Sequence, residues 1–183
     1  MKNIILSVAT SLDGYIEGPN REVDWLSFSD ETAQVLEKFL DEIDTVFYGR
    51  VSYEAWGNYA PAEEGNDFEK NFYRRLSKMR KVVFSTTKDS FLGQPFVIKN
   101  DIENAVNKLK LESGKNIWLY GGSDLVTTFV NYNLVDEYRI AVFPIILGSG
   151  KPLFKEISHR VSLKFHEVKA GKSGVVEYRY MKC

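Results

Sequence analysis

Ile117-Trp118-Leu119-Tyr120-Gly121-Gly122-Ser123-Asp124-Leu125-Val126 is the stretch on which the fold turns. Its first four residues read as a buried strand and the glycine pair as a sharp turn. Ser123 reads as the cap of a helix whose Leu125, Val126, Phe129 and Val130 face inward. A strand that passes through a tight turn straight into a helix is the start of a crossover connection, and such connections build parallel sheets. Two adjacent glycines also let a backbone approach a ligand or adopt torsions closed to other residues.

The same alternation extends in both directions. Upstream, Asn3 to Thr10 is a strand candidate followed by the Gly/Pro/Asn-rich loop Leu12 to Asn20, and Ser29 or Asp30 caps a helix with Val35, Leu36, Phe39, Leu40 and Ile43 on one face. Asp44 to Tyr48 is a strand ending at Gly49, with a helical turn from about Ser52. Asn66 to Ser77 is an amphipathic helix carrying Phe68, Phe72 and Leu76. Lys81–Ser85 and Phe96–Lys99 are short strands. Asn100 with Glu103 has the spacing of a capping box ahead of Ile102, Val106 and Leu109.

Downstream, Val135 to Leu147 is the longest β-rich run. Two alternating segments, Val161-Leu163-Phe165 and Val176-Tyr178-Tyr180, flank the loop Ala170 to Gly174 as a hairpin. The pattern predicts one α/β domain over 1–183, with a mainly parallel sheet, helices on both faces and an antiparallel C-terminal edge.

Composition narrows the partners. A chain of 183 residues with a formal net charge of −1 lacks the cationic surplus expected of a nucleic-acid or anionic-membrane binder, which favours a small-molecule partner. The one cysteine, Cys183, and the two histidines, His159 and His166, do not have the spacing of a metal site, so no metal is expected. The short apolar stretch Ile4 to Ala9 is unlike a secretory signal and no run approaches a membrane span, so a cytoplasmic location is expected.

In a sheet of this kind ligands bind beyond the carboxyl ends of the strands. Three such places carry suggestive residues. Gly49-Arg50-Val51-Ser52 opens a helix, where free N–H groups, a guanidinium and a hydroxyl favour phosphate; a plain turn with a solvated Arg would look the same. Gly121-Gly122-Ser123 repeats that geometry. Ser85, Thr86, Thr87 and Lys88 offer hydroxyls and a cation suited to an adenosine ribose or its 2′-phosphate. Two phosphate-friendly turns in one sheet point to a dinucleotide.

Gly148-Ser149-Gly150-Lys151 is neither common nucleotide loop. A Walker motif needs Gly at Ile145 and Ser or Thr at Pro152, and the dinucleotide fingerprint needs Gly at Leu153. For proton chemistry the candidates are Asp13, in the first loop, and Asp30 or Glu31 at a helix start, where a cap or a dipole partner is the simpler role.

Taken together, Ser11-Leu12-Asp13-Gly14-Tyr15-Ile16, Tyr48 to Tyr53, Gly121-Gly122-Ser123, Val135-Asp136-Glu137 and Pro144 to Phe154 resemble the RibD-type reductases of the dihydrofolate reductase-like superfamily over nearly the whole chain. The resemblance implies a parallel sheet closed by an antiparallel C-terminal strand, NADPH laid across the strand ends, and a homodimer. It implies Gly49, Arg50 and Ser52 at the cofactor's phosphate region and Thr86 and Thr87, beside Ser85, at its adenosine side. Gly121, Gly122 and Ser123 would hold the pyrophosphate, with a cis peptide within the glycine pair. It places Asp13 beside the nicotinamide and substrate, and Trp25 with Asp30 where dihydrofolate reductases keep a tryptophan and an acid near the pterin. Where those enzymes often have a basic residue after the glycine turn, this chain has Ser123-Asp124.

The activity so implied is hydride transfer to a small heterocycle, a pyrimidine of the 5-amino-6-(5-phosphoribosylamino)uracil type or a dihydrofolate-like pterin. The residues leave a second class open, a dinucleotide-binding sensor that turns nothing over, because fold alone does not fix function.

Overall fold

Residues 1–27, 29–60 and 66–183 are described by the structure, a computed structural model, and Asp30 is described by its backbone alone. Strand β1 (Ile4–Thr10) leads through a loop to the short β2 (Tyr15–Glu17) and on to α1 (Asp30–Glu42) and β3 (Ile43–Gly49). A brief helix, α2 (Arg50–Ser52), runs into a π-helical turn, Tyr53–Gly57, and is followed by α3 (Asp67–Ser77). Then come β4 (Arg80–Phe84), β5 (Phe96–Ile98), α4 (Ile102–Leu111), β6 (Asn116–Gly121) and α5 (Ser123–Asn131). The chain closes with β7 (Glu137–Val142), β8 (Lys151–Pro152), β9 (Leu163–Ala170) and β10 (Val176–Lys182).

Eight strands form one sheet in the order β5-β4-β3-β6-β1-β7-β10-β9. The first six run parallel, and β10 and β9 turn back antiparallel, as the alternation of elements predicts. Central strands in such a sheet are covered on both faces and so read as unbroken apolar runs. Val46, Phe47 and Tyr48 in β3 are accordingly all 0 % exposed. The two-residue period divides the core: Ile4 and Leu6 pack with Phe47, Phe84 and Phe129 on the α4/α5 side. Ile5, Val46 and Tyr48 pack with Phe39, Phe72 and Trp118 beneath α1 and α3.

Local chemistry sets the helix ends. Ser29 accepts the Thr32 N–H at 3.2 Å and Asn66 accepts that of Glu69 at 2.8 Å, each satisfying a donor that the helix leaves free. At the amino ends of β1 and β7, Asp136 accepts the Ile4 N–H at 2.8 Å and the Lys110 ammonium at 2.7 Å. Glu137 accepts from Arg139 at 2.6 Å. The Val135-Asp136-Glu137 motif therefore ties strands together at the end of the sheet remote from the strand carboxyl ends.

Several boundaries differ from the sequence expectation. The strand expected over Val135 to Leu147 stops at Val142, because Pro144 has no N–H and Gly148 and Gly150 take positive φ of 74° and 143°. The chain resumes as β8, which pairs antiparallel with β2 in a separate two-stranded sheet. The Asn100–Glu103 capping box does not form. Asp101 is the cap residue of α4 at φ 51°, and its carboxylate is taken by Asn104 at 3.0 and 2.8 Å. Val161 lies ahead of β9, and α2 starts at Arg50 rather than near Ser52.

Candidate functional site

The carboxyl ends of β3, β4 and β6 border a crevice of about 360 Å³, open to solvent. Gly49, Arg50 and Ser52 line one wall, Ser85, Thr86 and Thr87 a second, and Gly122 a third. The three segments singled out from the sequence thus meet in one place. Gly49 caps α2 and Gly122 caps α5, neither with a side-chain bond to its helix, so the free N–H groups of both first turns are available.

The two turns abut. A Cβ placed on Gly49 would lie 3.6 Å from the Gly121 carbonyl oxygen and 3.7 Å from the Gly122 nitrogen. A Cβ on Gly122 would lie 3.2 Å from Ser52 Oγ and 3.8 Å from Lys151 Nζ, so glycine here keeps the crevice open. The Gly121–Gly122 peptide is cis.

Ser123 does not cap α5 and its hydroxyl does not reach the crevice. It is 0 % exposed and donates to the Pro152 carbonyl at 2.6 Å, holding β8 against the helix start. The crevice is lined instead by its neighbours Gly122, Asp124 and Leu125. The Ser85 hydroxyl accepts the Lys88 N–H at 3.0 Å, which shapes the turn that presents Thr86 and Thr87.

Lysines that the sequence did not single out also line the crevice. Lys99 follows β5 and is ion-paired with Asp89. Lys151 is brought in by the β2–β8 pairing and stands 3.9 Å from the Glu17 carboxylate. Asp124, in the first turn of α5, lines the crevice as well; the Lys155 ammonium that bonds to it holds its carboxyl below the usual range.

Asp13 is placed differently from a proton donor. Its carboxylate accepts the Ser11 hydroxyl at 2.7 Å and the N–H groups of Leu147 and Gly148 at 3.1 and 2.8 Å. Those bonds, the Ser11 hydroxyl first, lower its pKa, so it is an anion that clamps a loop. Asp30 opens α1, and its side chain lies outside the described residues.

On the α1/α3 side of the strand ends no polar residue stands out in the sequence, yet phenols gather there. Tyr48 is in register with Gly121, and its ring lies 4.8 Å from that of Tyr120 and 5.6 Å from that of Tyr53. Burial pushes the Tyr48 and Tyr120 phenols up and raises Tyr73 to about 12, so all three stay protonated at neutral pH. The buried Tyr48 hydroxyl and the Trp25 indole N–H have no hydrogen-bond partner among the described residues. Trp25 packs edge-on against Phe143 at 5.5 Å. The strand ends thus separate a polar, cationic crevice from a buried aromatic layer.

Comparison with known proteins agrees with this architecture. Over 179 residues the chain is 44% identical to YyaP, an uncharacterized protein of Bacillus subtilis (strain 168), covering 98% of this chain and 94% of that one. A Shewanella sp. PV-4 protein assigned to riboflavin biosynthesis superposes with a TM-score of 0.81 at 21% identity, covering 100% of this chain and 99% of the other. Dihydrofolate reductase from Enterococcus faecalis, solved with NADP(H), superposes with a TM-score of 0.68 at 14% identity, covering 98% and 96%. The model of the RibD C-terminal domain matches residues 2–177, nearly the full length of the sheet and both sides of the strand-end site, and the chain belongs to that family, on a dihydrofolate reductase-like fold.

Proposed function

We propose that this chain is a cytoplasmic, NADPH-dependent reductase that delivers hydride to a small planar heterocycle, a pyrimidine of the 5-amino-6-(5-phosphoribosylamino)uracil type or a dihydrofolate-like pterin. The observation that carries the proposal is the meeting of two open helix N-termini, at Gly49 and Gly122, with Arg50, Thr86 and Thr87 in one crevice at the strand carboxyl ends.

The residues present fit a dinucleotide. The amides after Gly49 and Gly122, with the Ser52 hydroxyl, are donors for phosphate oxygens. Arg50, Thr86, Thr87 and Lys99 surround the end suited to an adenosine ribose and its phosphate. When bound, a reduced nicotinamide supplies the hydride.

The chain's own part is alignment and exclusion of water. The Tyr48, Tyr120 and Trp118 rings pack together as a rigid, buried aromatic layer beside the strand ends, which holds the site's backbone in place. Asp30, at the start of α1, is the proposed proton source, and Asp13 is a positioning residue that fixes the loop around Gly148. A homodimer through the exposed apolar face of β9 and β10 completes the proposal.

The test is fluorescence titration with NADPH and NADH, then loss of the reduced-nicotinamide absorbance with dihydrofolate and with riboflavin-pathway pyrimidines. Saturable binding with turnover is expected. Tight binding with no turnover of any of these acceptors would favour the sensor, and no binding of either coenzyme would overturn the proposal.

A further inference from the structure

Arg50, which lines the crevice, and Lys88, which follows directly on its Ser85–Thr87 wall, are both held by one carboxylate. Glu54 lies one turn beyond Arg50, in the π-helical turn, and accepts from Arg50 Nη1 at 2.9 Å through Oε2. Its other oxygen, Oε1, accepts from Lys88 Nζ at 2.8 Å. The Lys88 ammonium also sits over the Phe91 ring, 4.9 Å from its centre, which fixes it on this side of the Ser85–Lys88 turn. Lys99, across the crevice, is matched in the same way by Asp89. Three cations here stand against two carboxylates, where strong selection of a phosphate dianion calls for unopposed charge.

We propose that Glu54 sets the cofactor preference of the crevice: as counter-ion to Arg50 and Lys88 it competes with a 2′-phosphate on the adenosine ribose and so holds down the advantage of NADPH over NADH. The inference rests on the dinucleotide site proposed above. It makes Glu54 a specificity residue that acts through two cations, with no contact of its own to the ligand. A phosphate entering the site must displace the carboxylate from both partners and then lie beside it as a like charge. Bound NADH meets neither cost.

The geometry also separates this role from a familiar alternative. In many dinucleotide sites an acidic side chain accepts the ribose hydroxyls directly and so favours NADH. Both oxygens of Glu54 are here already engaged by cations. Loss of the carboxylate should therefore improve NADPH binding without harming NADH.

The experiment is to measure dissociation constants of NADPH and NADH by fluorescence for the unmodified protein and for Glu54→Gln. NADPH should tighten by about fivefold to tenfold, the scale of freeing two exposed cations, while NADH changes by less than about twofold. An unchanged NADPH-to-NADH ratio overturns the proposal, as does weaker NADH binding, which would make Glu54 a direct ribose ligand. If the variant does not fold, competition of 2′,5′-ADP and 5′-ADP for the unmodified protein decides instead. A preference for 2′,5′-ADP below about fivefold is expected, and a larger one overturns the role of Glu54. Failure of both coenzymes to bind the unmodified protein is a distinct result, which removes the dinucleotide site itself.

Discussion

The Asp13 carboxylate accepts the backbone N–H of Gly148 at 2.8 Å, joining the first loop of the chain to a loop 135 residues later. With the Leu147 N–H at 3.1 Å on its other oxygen, it fixes the segment that runs from the end of β7 into β8, and β8 carries Lys151 to the crevice. Asp13→Asn removes the charge from both bonds and should speed hydrogen exchange at the Leu147 and Gly148 amides by about tenfold, the scale of a weakened charge-assisted bond. The pH dependence has a defined sign. Because the folded-state pKa is lowered, the clamp is fully present above the ordinary carboxyl value of 3.8 and is lost as pH falls through the lower folded value. Protection at these amides should be flat from neutral pH to about 5 and collapse below about 4. Collapse near neutral pH would show that another group holds the loop.

Gly122 tests the crevice directly. A Cβ there would already press on Ser52 Oγ at 3.2 Å, and a longer side chain would project among Ser52, Lys151 and the N-terminus of α5. Gly122→Leu should weaken NADPH binding by at least about a hundredfold, the cost of filling a site that admits only backbone. Circular dichroism should show the fold intact. A folded variant with unchanged affinity would place the cofactor elsewhere.

Much of this was legible in the chain, and what was not has a physical cause. The Phe39-Leu40 face of α1, the continuous burial of Val46 to Tyr48 and the glycine turns after β3 and β6 follow from local periods and from backbone freedom at glycine, whereas Ile43, expected on the helix face, is already extended and opens β3. The pairing of Tyr15–Glu17 with Lys151–Pro152 depends on register between segments remote in sequence, so Lys151 could not be placed at the crevice from its neighbours. Ser123 shows the same limit: its position fits a cap, but its hydroxyl follows the Pro152 carbonyl, whose location is tertiary. Lys99 had a local signal, a cation just past a strand end. Tyr48 had none, because a phenol among β-branched and aromatic neighbours reads as core.

The Tyr48 hydroxyl makes an energetic prediction. The side chain is 0 % exposed and its oxygen has no partner among the described residues, so folding strips water from it with nothing in return. An unsatisfied buried polar group costs about 1–3 kcal/mol, and Tyr48→Phe removes the group while keeping the ring contacts with Tyr53 and Tyr120. The variant should be more stable by about 1 kcal/mol in urea unfolding with an unchanged slope. Tyr48 does not line the crevice, so the same variant should leave NADPH affinity unchanged. A loss of stability above about 1 kcal/mol would mean that the hydroxyl contributes to the folded state.

An exposed apolar patch lies on the antiparallel end of the sheet. Along β9 and β10 the two-residue period sorts side chains by face. Arg179 pairs with Glu177 at 2.6 Å and Lys169 with Glu167 at 3.1 Å on one face, while Phe165, Val168 and Tyr178 stand on the other, 58 %, 49 % and 36 % exposed. The Tyr178 and Tyr180 rings lie within 12° of parallel, giving that face a flat aromatic surface. Edge-to-edge pairing through β9 is disfavoured, since a register shift at Arg179/Tyr180 distorts the β9–β10 ladder and charged residues line the strand. Face-to-face contact with a second copy buries the aromatics without using the edge. Phe165→Asp with Val168→Asp should therefore convert a dimer to a monomer in sedimentation at micromolar concentration, with the far-ultraviolet dichroism unchanged. A monomeric unmodified protein, or a dimer that survives both substitutions, would remove this face from the assembly.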